Sequence, residues 1–282
     1  MKRLAIIVIG LLLFGCQEQV DLPLATIDGL VPVIEAEWTN EPIFNEVKMS
    51  LAQNYFDNTE PVIIADATVS ISIPGTEEVI PFIFVNASNS YKPVSDRRVA
   101  EVGETYELKI EWKDNLYVSR GLMLEPPTLD SLTYKFEEER TFRDEGYYIS
   151  AYGKIPFKED NFYRIKIIQN DTLLNDRDDY LLFDDTFGLT FFEEGLELNY
   201  AFEAKDRIRL VLYRLNEPVY DYFNQLVGLL FTDGGLFSPP PQNPDTNIVT
   251  QRGNDRAEGY FMVSPIISQS VFINEEEPDP EN

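Results

Sequence analysis

Apolar and polar residues alternate along most of this chain. Val33-Ile34-Glu35-Ala36-Glu37-Trp38 and Glu46-Val47-Lys48-Met49-Ser50-Leu51 repeat with period two, the spacing that turns successive side chains to opposite faces of a strand. Ala67 to Ile73 alternates cleanly and stops at Pro74-Gly75, a turn dipeptide, and Val79 to Val85 continues the series. Tyr106 to Trp112 alternates apolar and charged residues. Lys113-Asp114-Asn115 then turns the chain into Leu116-Tyr117-Val118-Ser119, a hairpin. Short strands at this spacing, with no helical pattern between them, predict an antiparallel β-sandwich over 30–123.

Leu124-Glu125-Pro126-Pro127-Thr128-Leu129-Asp130 interrupts the pattern. Prolines cannot donate to a ladder, so 124–130 is the expected linker between two domains. Strand-like segments resume at 131–136, 147–155, 162–168 and 207–213, the start of a β-rich C-terminal domain over 131–274. One helix is expected, at about 218–231. Asn216 can cap it, Pro218 suits its first turn, and Val219, Tyr222, Phe223, Leu226, Val227 and Leu230 recur at helical spacing. Gly234-Gly235 would end it, and Ser238-Pro239-Pro240-Pro241 cannot continue it. Gly259 to Ile273 reads as closing strands, and 275–282 as a loose acidic tail.

The first residues follow a different pattern. Lys2-Arg3 precede the apolar run Leu4 to Phe14, then Gly15-Cys16. A basic start, a short apolar run and a small residue are the parts of a secretory signal, here 1–15. The run falls far short of the roughly 20 residues a transmembrane helix needs. Cys16 is the only cysteine, so no internal disulfide can form. Its place after Leu13-Phe14-Gly15 matches a lipobox. The expectation is lipidation at Cys16, with 16–29 as anchor and tether to a membrane, although Phe14 is larger than the usual residue before the glycine.

The balance of 23 basic against 49 acidic residues gives a net charge of −26, and loss of Lys2 and Arg3 makes it more negative still. Such a chain lacks the basic patch that phosphate neutralisation needs, so no nucleic-acid partner is expected. A hydrophobic fraction of 44% provides a core and excludes general disorder. The chain has no histidine, which removes Ser-His-Asp triads, Cys-His pairs and the usual zinc sites together. It also has no Gly-rich phosphate loop and no nucleophile elbow. Catalysis would need a pair of carboxylates as in glycoside hydrolysis, and 49 acids produce pairs by chance, so a non-enzymatic protein without a cofactor is expected. Asp176, Asp178, Asp179, Asp184 and Asp185 are weak calcium candidates, since hard cations take several carboxylates. Arg177 and the missing turn glycine favour a solvated loop instead.

The order of several short motifs resembles a family of Bacteroidetes lipoproteins known as domain of unknown function 4249. They are Cys16 with Val20-Asp21-Leu22, Ala67-Thr68-Val69, Gly103-Glu104-Thr105-Tyr106-Glu107-Leu108, Leu129-Asp130-Ser131-Leu132, Asn161-Phe162-Tyr163-Arg164, Asp184-Asp185-Thr186-Phe187, Tyr220-Asp221-Tyr222-Phe223, Asn247-Ile248 and Gly259-Tyr260-Phe261. The resemblance implies a mainly β fold whose N-terminal sandwich is immunoglobulin-like or carboxypeptidase-regulatory-like. It also implies an outer-membrane lipoprotein beside a TonB-dependent β-barrel transporter, acting as an accessory or ligand-binding subunit. It supplies no catalytic residues and no ligand. Glu18 and Asp21 partly resemble a cell-surface export signal, which favours the outer face and leaves the periplasmic face open. Asp130-Ser131-Leu132 and Asp171-Thr172-Leu173 resemble an O-glycosylation motif at Ser131 and Thr172. The competing readings are a free-standing adhesin or glycan- or matrix-binding module, and a carboxylate glycosidase.

Overall fold

The computed structural model describes residues 27–274 apart from 28, 55–56, 58, 96, 188–189 and 232–241. Cys16, the signal, most of the tether, Gly234-Gly235, the triple proline and the acidic tail lie outside the described residues. The protein is mainly β, with 48% of residues in strands and 11% in helices. Its main helix, α2 (Glu217–Leu230), falls where the sequence predicts it, and a short α1 (Thr190–Glu194) was not anticipated.

The alternating segments become β1 (Pro32–Thr39), β2 (Glu46–Leu51), β3 (Thr68–Ser72), β4 (Val79–Val85), β6 (Thr105–Trp112) and β7 (Asn115–Leu122), with a short β5 (Ser90–Pro93). Pro74 and Gly75 make the β3–β4 turn. Gly75 takes φ +87, and Thr76 N–H donates to the Ile73 carbonyl at 3.1 Å. Two strands from near the end of the chain, β15 (Val249–Arg252) and β16 (Glu258–Ser264), join this sheet. The order is β15-β7-β6-β3-β4-β5-β2-β1-β16. The sheet therefore begins and ends on strands that residues 253–257 connect directly. So short a link draws the two edges together, and the sheet curls on itself, adding to the ordinary strand twist. The expected sandwich takes this form. Its inward residues, among them Ile34, Trp38, Ile71, Tyr106, Leu108 and Phe261, make one core.

The remaining strands form two smaller sheets. One runs β11 (Thr172–Leu173), β10 (Phe162–Gln169), β14 (Arg207–Arg214), β17 (Ile266–Phe272), with β12 (Leu181–Asp184) also on β10. The other runs β13 (Leu196–Glu197), β9 (Gly146–Lys154), β8 (Thr128–Glu137). β10 and β14 lie in the middle of the molecule and are covered on both sides. Tyr163, Ile165, Ile167, Ile208, Leu210 and Leu212 pack toward β9. Val211 and Tyr213 pack the other way, against α2 and the outward Tyr260 and Met262 of β16. A strand covered on both faces reads as a nearly continuous apolar run, as Ile208 to Tyr213 does apart from Arg209.

The expected division at 124–130 does not partition the strands. The prolines do break the ladder, but β15 and β16, placed by sequence in the C-terminal domain, return to the first sheet. Period-two alternation says which face of a strand is buried and nothing about its partner. The β1–β16 pairing is also parallel, Val33 to Glu258 through Thr39 to Ser264, whereas an antiparallel fold was expected.

Four asparagines secure the places where strands leave a sheet. A side-chain amide carries one carbonyl and one N–H₂, so it can bond both backbone groups of a residue as another strand would. Asn45 bonds the Thr39 N–H (2.7 Å) and carbonyl (3.3 Å), and Asn40 the Ile266 N–H (2.7 Å) and carbonyl (3.1 Å). Asn247 brackets Phe261 at 2.8 Å on both sides, and Asn216 brackets Leu122 at 3.0 Å on both. Asn216 occupies the expected N-cap position of α2 with extended backbone but does not cap it. Its side chain ties the helix to the first sheet instead.

Gly259 decides whether β16 can lie beside β1. Its φ is +100, and a methyl there would sit 2.0 Å from the Ile34 carbonyl oxygen. Gly259→Ala should lower stability by roughly 3 kcal/mol or more, combining left-handed strain with a backbone clash. Gly75→Ala, left-handed but in open space, should cost only about 1 kcal/mol. Urea midpoints of the two variants provide the comparison.

Candidate functional site

Where the curled sheet meets β10 and β14, the facing surfaces carry charge. Ile34, Ala36 and Trp38 of β1 point into the first core, so the alternation turns Glu35 and Glu37 outward to the middle sheet. Tyr163, Ile165 and Ile167 of β10 face β9, which turns Arg164 and Lys166 toward β1. Lys166 Nζ stands 3.3 Å from Glu37 Oε1, and each side chain is more than four-fifths buried. The Tyr260 hydroxyl lies 3.5 Å from the same carboxylate oxygen, and Lys166 Nζ is 4.8 Å from the centre of the Tyr213 ring. Burial pushes the Lys166 pKa down, against the pull of Glu37.

Arg164 is 6% exposed. Its guanidinium sits 4.8 Å from the Tyr180 ring centre and 4.4 Å from that of Phe223 on α2. Among the described residues no carboxylate pairs with it, and its buried Nε makes no hydrogen bond. Arg214, equally buried at the end of β14, shows the contrast. It donates to the carbonyls of Glu125, Glu159 and Asp160 at 2.9–3.0 Å and lies over Phe157. Arg214 thereby holds the proline segment against the middle sheet, and Arg164 holds no backbone in place.

Beyond the cover of α2 the same face of β10, β14 and β17 opens into a depression of about 370 Å³, lined by Ile168, Asp171, Arg207, Arg209 and Ser270. Arg207 pairs there with Asp171, and Arg209 donates to Ser268 at 3.0 Å. At the far end of β8–β9 a tight turn presents Phe142, which is 98% exposed. Arg140 and Arg143 close the turn with two backbone hydrogen bonds of 2.8 and 3.1 Å. Arg140 also bonds Glu137, and Arg143 stacks on Tyr148 at 3.7 Å and pairs with Glu197. The ring is thus held out by an ordered turn, among the exposed acids Glu138, Glu139, Asp144 and Glu145.

The structure sends the candidate aspartates to separate tasks. Asp176 and Asp179 cap each other around a 3-10 turn, and the Tyr200 hydroxyl donates to Asp179 at 3.0 Å. Asp184 accepts from the Thr186 N–H and from the Tyr220 hydroxyl, and the Thr186 bonds hold its carboxyl below the ordinary range. Asp178 is paired loosely with Arg177, and Asp185 begins the next 3-10 turn. Among the described residues no three His, Cys, Asp or Glu side chains gather around one point. Ser131 and Thr172 are both exposed, the first beside a bulge in β8 and the second just after the β10–β11 turn.

Sequence reasoning missed the charged seam because Arg164 and Lys166 sit at alternate positions, like residues of a solvated face. The signal that could have found it is β14, apolar on both faces. A strand beside it can then be covered on both faces too, as β10 is and β17 is not, and the two cations with it.

The model of a family described as a domain of unknown function, DUF4249, matches residues 19–270. The chain belongs to the DUF4249 family. No curated protein matches it. The match takes in β1 and β16 together, so the DUF4249 region includes both strands of the parallel ladder and the seam they border. Among its described residues no helix is long and apolar enough to cross a membrane.

Glu35 gives the seam a measurable pH response. It is exposed and unpaired among the described residues, yet partial burial raises its carboxyl pKa, with Glu37 and Glu46 adding to the rise and Lys48 and Lys166 opposing it. A carboxyl raised in the folded state destabilises the fold once it is ionised, and that cost vanishes below the unfolded value of 4.5. Glu35→Gln should therefore raise Tm at neutral pH, and the gain should disappear as pH falls below 4.5. Melting curves across that range would show a pH-independent difference if the carboxyl's charge played no part.

Proposed function

We propose that this chain is a lipid-anchored accessory or binding subunit of an outer membrane, held through Cys16 and working beside a TonB-dependent β-barrel transporter. The observation that carries the anchor is the position of the single cysteine, directly after a basic start and an eleven-residue apolar run, Leu4 to Phe14. The membership of DUF4249 supports the setting, because the resemblance that brought in the transporter rests on the same family. The Phe142 turn supports a partner. An aromatic side chain held in the open by an ordered turn loses little freedom on docking, which is how interface anchors gain affinity. The four exposed acids around it fit an apolar pocket with a basic rim, and they disfavour insertion into an anionic lipid surface.

Two measurements test this. Cys16→Ser should leave the precursor unprocessed and unlabelled by radioactive palmitate; normal processing would defeat the anchor. Tagged protein purified from gently solubilised outer membranes should recover one TonB-dependent barrel in stoichiometric amount, and Phe142→Ser should reduce that recovery at least tenfold, about 1.4 kcal/mol of interface energy. Recovery of the lipoprotein by itself would favour a free-standing surface binder.

A further inference from the structure

Arg164 and Tyr213 are cross-strand neighbours, paired in register between β10 and β14. Their side chains leave the same face of the middle sheet, and both residues are buried. Each retains a sealed donor with no acceptor among the described residues, the Arg164 Nε–H and the Tyr213 O–H. Two orphaned donors at adjacent positions are uncommon, since nearly all buried polar groups find a partner and each exception calls for an explanation. The charges lean the same way. Arg164 and Lys166 are two buried cations, and among the described residues Glu37 is the one acid that pairs with either. Among the described residues Glu35 forms no ion pair with Arg164, and Glu37 is paired with Lys166. Lys48, for its part, is paired with Glu46 at 3.0 Å. A buried cation without a counter-charge is among the costlier arrangements a fold can hold.

We propose that the seam between β1, α2 and the middle sheet binds a small anion, of halide or carboxylate type, seated against Arg164 Nε and the Tyr213 hydroxyl. The aromatic rings of Tyr180 and Phe223 hold the planar guanidinium in place, and Lys166 lies two residues along β10. An anion there would accept from the two donors and give Arg164 a counter-charge. The inference rests on the seam alone and does not depend on the accessory reading above.

Crystals of the full chain soaked in bromide, with data collected at the bromine absorption edge, test it directly. One anomalous peak within hydrogen-bond reach of Arg164 Nε and Tyr213 Oη is the expected result, and a formate soak should abolish the peak if the site also takes carboxylates. An ordinary water bridging the two donors, without anomalous signal, would overturn the proposal. So would bromide found only in the open depression of Arg207 and Arg209. In solution at matched ionic strength, bromide should raise the Tm of the wild type more than that of Arg164→Met or Tyr213→Phe. An equal bromide effect in both variants would also overturn the proposal, and the wild-type crystal answers the question even where a variant fails to fold.

Discussion

The parallel ladder between β1 and β16 is the constraint on which the rest of the architecture depends. It joins the first strand of the body to the last strand but one, seven residue pairs long. Because Pro265 alone separates β16 from β17, pairing β16 with β1 also fixes where β17 enters the middle sheet. Three consequences follow from that pairing together with the short 253–257 link between β15 and β16. The nine-stranded sheet must curl, its outer face must meet α2, and Glu37 must come opposite Lys166, 129 residues along the chain. Parallel pairs of such separation form late and slowly, since loop-closure entropy is lost before the contacts repay it.

Polar side chains, rather than further strands, complete the backbone bonding at the junctions. Asn40, Asn45, Asn216 and Asn247 each bracket one residue, and Ser264 Oγ donates to the Arg214 carbonyl at 2.8 Å. A curled sheet joined to two smaller ones has many points where a strand ends under cover. There an unpaired carbonyl or N–H would cost about 1–3 kcal/mol. The amide group meets both needs from one side chain, which explains why these asparagines are spread along the chain but cluster at strand exits in space.

Most strands were legible, because period-two alternation survives wherever one face is buried. β2 and β4 begin and end where the pattern does, and α2 is displaced by one residue. Less visible were strands too short for a period, such as β5 and β12, and the partner of any strand. Alternation cannot distinguish a face turned to water from one turned to another layer, so nothing in the pattern marks Arg164, Lys166 and Glu37 as buried. Asn216 read as a helix cap, and the roles of Asn40, Asn45 and Asn247 could not be read at all, for a related reason. Their chemistry is local in type, and three of their four partners lie 14 to 226 residues away. Phe142 was invisible because an aromatic in a β-rich chain is usually core, and only the arginine-closed turn shows this one to be outside.

The distribution of charge follows from the same layering. A chain with a net charge of −26 repels itself, and a cation placed outside would relieve that repulsion. Arg164 and Lys166 are instead withdrawn between layers, where exterior charges more than about 8 Å away are screened by salt but contacts within the seam are not. That placement leaves Arg164 without a carboxylate partner among the described residues, inside an acidic shell. Long-range repulsion then opposes approach of any anion, whereas close contact with Arg164 favours its retention. The seam therefore favours ligands small enough to enter between the sheets over polyanions, which the shell turns away before they reach it.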